Sequence, residues 1–204
     1  MADEKKEFTW TDYHKKVDAL SPRPWLLKAL EHTPKKSELH AVDLGAGNGR
    51  DSRYLLQNGW EVNAIEPVSS GIEILKSNLT DKELLNLTTV QKSFEDLQSL
   101  PKVDLVYAGF SIPFCNRDFF PTLWTLVKAS LEEKGSIFAG QFFGPHDEWV
   151  ARSEKPLLGH SREDLKELFK DFEIIEIQEQ DSEGKTADGS IKHWHIFDVI
   201  ARKL

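Results

Sequence analysis

Between Ala41 and Gly49 the chain reads Ala-Val-Asp-Leu-Gly-Ala-Gly-Asn-Gly, an apolar run that ends in an acid and is followed by three glycines at alternate positions. Seventeen residues after the last glycine, a second strand-like run (residues 62–65) is followed by Glu66. Glycines between a strand and a helix let the backbone approach a ligand closely, and an acid after the next strand can accept hydrogen bonds from ribose hydroxyls. The pattern therefore predicts a nucleoside-binding loop at the edge of an open α/β sheet.

The spacing of the glycines bears on which nucleoside cofactor binds. A dinucleotide fingerprint reads Gly-x-Gly-x-x-Gly, whereas here Arg50 occupies the position of the third glycine. Asp43 precedes the first glycine by two residues, and a carboxylate there suits a ligand with an ammonium group better than one with a pyrophosphate. In these respects the loop resembles motif I of the class I S-adenosylmethionine (SAM) methyltransferases.

The resemblance implies that SAM is the cofactor and S-adenosylhomocysteine the product. It also implies that the loop holds the amino-acid end of SAM and that Glu66 binds the ribose. In open α/β sheets, ligands bind beyond the carboxyl ends of the strands. Together these considerations predict the following cofactor-binding residues: Asp43, Gly45, Ala46, Gly47, Asn48, Gly49, Arg50, Glu66, Pro67, Ser93, Phe94, Glu95, Gly109 and Phe110.

Two of these assignments leave alternatives open. The family often carries an acid near the position of Ser93, so here the adenine amino group would bond to the backbone at Phe94 or to Glu95. Glu95 could equally cap the turn that follows, and Arg50 could either reach the cofactor's carboxylate or face solvent.

From about residue 40 the chain alternates strand-like and helix-like segments, which predicts a mostly parallel sheet covered on both faces. The last two strands have no helix between them and predict an antiparallel hairpin closed by a loop at Asp181–Ser190. The predicted fold is α/β and Rossmann-like, with a seven-stranded, mostly parallel sheet, helices on both faces and a C-terminal antiparallel hairpin. The predicted strands are Leu39–Leu44, Glu61–Ile65, Leu87–Gln91, Val103–Ala108, Ser136–Phe143, Phe172–Gln180 and Ile191–Arg202. Residues 1–204 are predicted to form a single methyltransferase domain, with 1–38 as an N-terminal helical segment or lid and 39–204 as the SAM-binding core.

Composition limits the range of partners. The chain has 204 residues, a net charge of −8 and one cysteine. Its basic residues are scattered, which argues against a nucleic-acid partner. A single cysteine excludes an intramolecular disulfide and fits a reducing compartment. No apolar run approaches the length of a membrane span, so we expect a cytoplasmic protein that does not associate with membranes. We also expect it to be a monomer or a homodimer.

The segment after the fourth predicted strand bears on the methyl acceptor. Enzymes that methylate nucleobase or amide nitrogens commonly carry an Asn/Asp-Pro-Pro-Tyr/Phe motif there, whereas residues 108–114 read Ala-Gly-Phe-Ser-Ile-Pro-Phe. Together with the acidic charge, this predicts a small-molecule acceptor. Residues 140–149 and 192–197 resemble segments of the bacterial tellurite-resistance-like methyltransferases, whose acceptors are oxyanions or other soft, anionic nucleophiles.

Polar and aromatic residues near these segments are the candidate acceptor site. His146 and Tyr13 are predicted to position the acceptor for catalysis. The predicted substrate-binding residues are Trp10, Arg23, Gln141, Trp149, His193 and His195.

Each of these side chains also has a structural explanation. His146 can be a loop histidine that is hydrogen-bonded locally, and Trp10 and Tyr13 can simply pack the leading helix. His193 and His195 share one face of a strand and could ligate a metal, but the sequence shows no third ligand and no metal is predicted.

Two other functions fit part of the pattern. A nucleotide-linked oxidoreductase would share the glycine loop, although Arg50 and the terminal hairpin argue against it. A SAM-binding sensor without catalytic activity would keep the same loop, because binding and transfer use the same residues.

Overall fold

The computed structural model describes residues 9–16, 21–131, 133–152, 154–187 and 189–204. The predicted N-terminal helical segment therefore falls partly outside the described residues, at positions 1–8 and 17–20. Among the helices of the described ranges, none is both long enough and apolar enough to span a membrane.

Seven strands form one sheet in the order β3-β2-β1-β4-β5-β7-β6. Strands β1 to β5 pair in parallel, and β7 pairs antiparallel with both β5 and β6. This confirms the predicted mostly parallel sheet and its terminal hairpin. The strands are β1 (His40–Leu44), β2 (Glu61–Ile65), β3 (Leu87–Val90), β4 (Leu105–Ala108), β5 (Ile137–Phe143), β6 (Phe172–Lys185) and β7 (Ile191–Lys203).

Helices cover both faces of the sheet. The helices of the described ranges are α1 (Trp10–Lys16), α2 (Pro24–Leu30), α3 (Arg50–Gln57), α4 (Ser69–Ser77), α5 (Asp81–Leu84), α6 (Phe120–Ser130), α7 (Glu148–Ala151) and α8 (Arg162–Leu168). Successive residues of a strand point to opposite faces, so Val106 and Ala108 of β4 belong to one apolar cluster with α6 and α8, while Leu105 and Tyr107 belong to another with α2, α3 and α4. All four residues of β4 are buried, as expected for a central parallel strand.

The prediction was wrong about the loop of the terminal hairpin. β6 continues through Asp181 to Lys185, and Asp181 pairs with His195 of β7. The segment Asp181–Lys185 is polar and mostly exposed because β6 is an edge strand of the sheet. Such a segment lacks the alternation of apolar and polar residues that indicates a strand, so its sequence predicts a loop. Because β6 is longer than predicted, Asp181 lies next to the histidines of β7.

Candidate active site

The glycine loop between β1 and α3 is held against the end of β2. The backbone N–H groups of Gly45 and Ala46 both donate to the carbonyl oxygen of Ile65, each at 2.9 Å. Gly45 has a φ of +71°, and a Cβ there would lie 2.4 Å from the Cβ of Ser111. Only glycine fits this conformation without displacing its neighbour, so the loop keeps a bare backbone surface that a ligand can approach.

Glu66 fixes the same loop from β2. Its carboxylate accepts the N–H of Gly47 at 2.8 Å and the N–H of Val68 at 2.9 Å. Burial raises the pKa of Glu66, while these two backbone hydrogen bonds act in the opposite direction. An ionised carboxylate offers about four acceptor sites, so Glu66 can still accept hydrogen bonds from a ribose.

Asp43 lies buried at the carboxyl end of β1 and accepts a 2.6 Å hydrogen bond from the hydroxyl of Ser52. Burial, together with the neighbouring charge of Asp51, raises the pKa of Asp43 to about 7. An opposite charge favours the ionised form of a carboxyl group. An ammonium group bound beside this strand end would therefore favour the carboxylate form of Asp43.

A partly buried ion pair joins the segment before α2 to the start of α3. Asp51 accepts the N–H of Arg23 at 2.8 Å and also bonds its guanidinium group. Burial opposes the charge on Arg23, but Asp51, Tyr107 and Tyr13 raise the pKa of the guanidinium overall, so it stays charged. The guanidinium carbon lies 5.9 Å from the ring centroid of Phe110, within range of a cation–π contact.

Beside this ion pair lies a cavity of about 360 Å³. Gln141 of β5 orders one wall: its amide donates to Asp198 at 2.7 Å and accepts the N–H of Phe110 at 3.2 Å. Phe110 has a φ of +59°, which is a strained conformation for a residue with a side chain. The cavity is lined by Arg23, Pro24, Trp25, Arg50, Phe110, Gln141 and Asp198.

Helix α1 packs over the glycine loop through His14. The amide of Asn48 donates to the carbonyl oxygen of His14 at 2.9 Å, and a Cβ at Gly47 would lie 3.5 Å from Nε2 of His14. His14 is 2 % exposed, and its Nδ1 has no hydrogen-bond partner among the described residues. Burial lowers its pKa, which favours the neutral ring. A buried imidazole with an unpartnered nitrogen, packed over a bare glycine backbone, fits a site that binds a polar ligand.

Sequence reasoning missed His14 and Asp198, and it considered Asp51 only as a possible cofactor contact and not as the partner of Arg23. The pairing of Arg23 with Asp51 and that of Gln141 with Asp198 join residues 28 and 57 positions apart. The sequence carries no local signal for such contacts.

The remaining predicted cofactor residues lie around the loop in varied environments. Phe94 lies next to Gly45, with its Cζ 3.6 Å from where a Cβ would be. Glu95 accepts the N–H of Asn116 at 2.9 Å, and the hydroxyl of Ser93 bonds Asp96 at 2.7 Å. Pro67 is exposed.

Trp10 and Tyr13 lie on α1. Their ring centroids are 5.7 Å apart, and Trp10 also packs edge-on against Phe114 at 5.0 Å. Neither residue lines the cavity beside Arg23.

The other predicted acceptor residues form a second group, near α7. His146 is exposed and bonds Asp181 at 2.8 Å, while Trp149 packs against Trp194 at 5.3 Å. Like His193 and His195, these side chains do not line the cavity. The group still adjoins it, because the rings of Trp194 and Phe110 are 6.4 Å apart.

A family model, a curated protein and several solved structures are similar to this chain. Residues 41–135 match a family model described as a methyltransferase domain. The probable S-adenosyl-L-methionine-dependent methyltransferase TehB of Haemophilus influenzae is 25% identical over 169 residues, which are 82% of this chain and 58% of that protein. This chain thus spans less than two thirds of the curated relative.

Solved structures share the fold. The crystal structure of TehB from Haemophilus influenzae superposes with a TM-score of 0.75 at 23% identity, covering 96% of this chain and 68% of that one. A Burkholderia thailandensis 1,6-didemethyltoxoflavin N1-methyltransferase, solved with 1,6-didemethyltoxoflavin and S-adenosylhomocysteine, gives a TM-score of 0.66 at 17% identity. That comparison covers 98% of this chain and 92% of the other.

Proposed function

We propose that the chain, of which residues 41–135 match a methyltransferase domain, is a class I SAM-dependent methyltransferase that transfers the methyl group of SAM to a small, anionic acceptor. The observation that carries the proposal is the cavity beside the glycine loop, which both Arg23 and Arg50 line. A volume of about 360 Å³ lies at the lower end of the range for small-molecule sites. The arginines supply donors that match carboxylates and oxyanions.

SAM would be held by the residues that surround the glycine loop. Glu66 would accept hydrogen bonds from the ribose hydroxyls, and Asp43 would face the ammonium group. Each of these acids is already positioned by hydrogen bonds within the protein. The imidazole of His14, which packs over Gly47, would give the cofactor one further polar group near the loop.

The chemistry asks little of the protein beyond positioning. When bound, SAM supplies a methyl group on a positively charged sulfur, which is already activated for in-line transfer. Alignment of two reactants can by itself provide about 7–11 kcal/mol of rate acceleration. Burial raises the pKa of Cys115 to about 12, so its thiol stays protonated and a covalent intermediate on this residue plays no part in the proposal.

The acceptor proposal is tested by measuring the release of S-adenosylhomocysteine with a panel of acceptors. The panel should include tellurite, selenite, small thiols and small carboxylates, with RNA, DNA and a protein mixture as contrasting classes. We expect turnover with at least one small anion and none with the macromolecules. Methylation of a macromolecule alone would contradict the proposal. Tight SAM binding without turnover on any acceptor would favour a SAM-binding sensor.

Arg23→Lys tests the role of the cavity. Lysine keeps the charge beside Asp51 but loses the planar fork that binds oxyanions in a bidentate manner. We expect the KM of the acceptor to rise about tenfold, as for the loss of one charge-assisted hydrogen bond, with the Kd of SAM unchanged. Arg202→Lys is the matched control, because Arg202 also pairs with a carboxylate, at 2.8 Å from Glu173, but lies outside the cavity. A change in SAM affinity instead of acceptor KM would assign Arg23 to the cofactor.

Glu66→Gln tests the ribose contact. The amide keeps the shape of the side chain but loses the charge, and its nitrogen cannot accept the N–H of Gly47 or Val68. We expect SAM to bind more weakly by about 1.5–3 kcal/mol, measured by calorimetry on folded protein. Glu73→Gln, at an exposed position of α4, should leave the affinity unchanged. Equal affinities in the two variants would remove Glu66 from the cofactor site.

We also propose that residues 1–204 form one domain in which the N-terminal segment covers the cofactor. The contact between His14 and the glycine loop supports this arrangement.

A further inference from the structure

A carboxylate lies among three histidines where the β6–β7 hairpin meets the loop after β5. One oxygen of Asp181 is 2.8 Å from Nδ1 of His146, and the other is 2.6 Å from Nε2 of His193. One possible ligand atom from each of His146, Asp181 and His195 lies within 4.8 Å of the other two. Asp181 is thus the further candidate metal ligand that the sequence did not reveal.

The fold brings these residues together through backbone contacts. Asp181 lies directly opposite His195 in the pairing of β6 and β7. The N–H of Gly144 donates to the carbonyl oxygen of His195 at 2.7 Å, and a Cβ at Gly144 would lie 2.3 Å from the imidazole of His195. Because glycine lets the chain pass this close, the next residues place His146 beside His195, with ring centroids 4.8 Å apart.

His195 carries the outer contact that is typical of a metal-bound histidine. Its Nε2 lies 3.0 Å from a carboxylate oxygen of Glu179, and Glu179 in turn binds Arg162. Histidines that ligate metals almost always donate their second ring N–H to a carboxylate, carbonyl or water. This bond leaves Nδ1 of His195 as the ligand atom, and Nδ1 now accepts only a long, 3.2 Å hydrogen bond from the N–H of His146.

We propose that His146, Asp181 and His195 bind a divalent transition-metal ion of the zinc class. Two imidazoles and one carboxylate form a donor set that suits zinc, and His193 or water would complete the four-coordinate shell. Ligand atoms of zinc lie about 2.0–2.2 Å from the ion, so the three atoms, which now lie within 4.8 Å of one another, must shift to surround it. The side chains of His146 and Asp181 are 66% and 37% exposed and can move, whereas His195, at 4%, is the fixed anchor.

The ion would join the loop before α7 to the β6–β7 hairpin. His146 directly precedes Asp147, which caps α7 by accepting the N–H of Trp149. A bound ion would therefore restrain α7 and, through Trp149 of that helix, the ring of Trp194 that lies near Phe110 of the cavity. This role is independent of which acceptor the enzyme methylates.

The test uses the full chain without an affinity tag, stripped of metal by a chelator and titrated with Co²⁺ and then with Zn²⁺. Co²⁺ bound directly to protein ligands gives visible absorption bands that report the coordination geometry. We expect one Co²⁺ per chain, displaced by Zn²⁺, and a higher melting temperature in the presence of Zn²⁺. SAM binding measured in parallel keeps the result separate from the proposed function.

Variants locate the site. His146→Ala and Asp181→Asn change exposed side chains, and each should weaken Co²⁺ binding at least about tenfold. Glu179→Gln should weaken it about 10–100-fold, as expected for an outer-shell partner. His32→Ala changes a histidine that follows α2 and is not one of the proposed ligands. This variant is the control and should bind Co²⁺ normally. Absence of the absorption bands, or equal affinity in all four variants, would overturn the proposal.

Discussion

Lys192→Met should lower the free energy of unfolding by about 3–5 kcal/mol, the usual cost of removing one partner of a buried ion pair. Lys192 and Asp147 have side chains that are 2% and 0% exposed, and Nζ lies 2.5 Å from the carboxylate. The ammonium group also lies over Trp194 at 3.9 Å and Trp149 at 4.4 Å. Burial lowers the pKa of Lys192, but the carboxylate and the aromatic faces favour its charge. Methionine would leave Asp147 as a buried, uncompensated anion.

Urea denaturation of the variant and of two comparison proteins would measure this effect. Lys170→Met breaks an exposed pair with Glu167 and should change stability little, because solvent screens such pairs. The double variant Lys192→Met/Asp147→Asn should be more stable than Lys192→Met alone, since it removes the unpaired charge. If Lys192→Met were as stable as Lys170→Met, the buried pair would not contribute to stability.

Gly49→Ala should be the most damaging single-methyl change in the cofactor loop. Gly49 has a φ of +77°, and a Cβ there would lie 2.2 Å from Cδ1 and 2.7 Å from Cβ of Leu75. The left-handed conformation costs about 1–2 kcal/mol for an L-residue. Overpacking adds about 1–3 kcal/mol, because a contact with the Cβ of Leu75 can be relieved only by moving α4. The expected loss in the free energy of unfolding is therefore about 2–5 kcal/mol.

Gly59→Ala separates the two contributions. Gly59 has nearly the same φ, +82°, but no described atom lies within 4 Å of its would-be Cβ. This variant should lose only the conformational part, about 1–2 kcal/mol. Equal losses in the two variants would mean that α4 accommodates the methyl group freely. The SAM affinity of Gly49→Ala should also fall, since the loop must shift with α4.

The sequence predicted those parts of the molecule that depend on local pattern. The glycine loop and Glu66 follow from spacing along the chain, and the mostly parallel sheet follows from the alternation of helices and strands. These features need no knowledge of distant contacts. They were sufficient to identify the sheet and to locate the loop at its edge.

The acceptor region was harder to predict because its contacts join distant segments. Nothing near Arg23 in the sequence indicates that Asp51 will neutralise it, and nothing near His195 indicates Asp181. The extension of β6 was missed for a related reason: an exposed edge strand can be polar on both faces. His146 and Trp149 were grouped with Gln141 by their closeness in sequence, whereas the structure places them around α7.

The position of β7 within the sheet has a consequence for how the protein is made. β5 is buried along all seven of its residues, and one of its edges is paired only by β7, which ends at Lys203. Because ribosomes synthesise chains from the N-terminus, that apolar edge stays unpaired until β7 has been translated. An unpaired strand edge is a template for aggregation. We therefore expect a chain whose synthesis stops before residue 191 to expose the unpaired edge of β5 and to aggregate more readily than the full sequence.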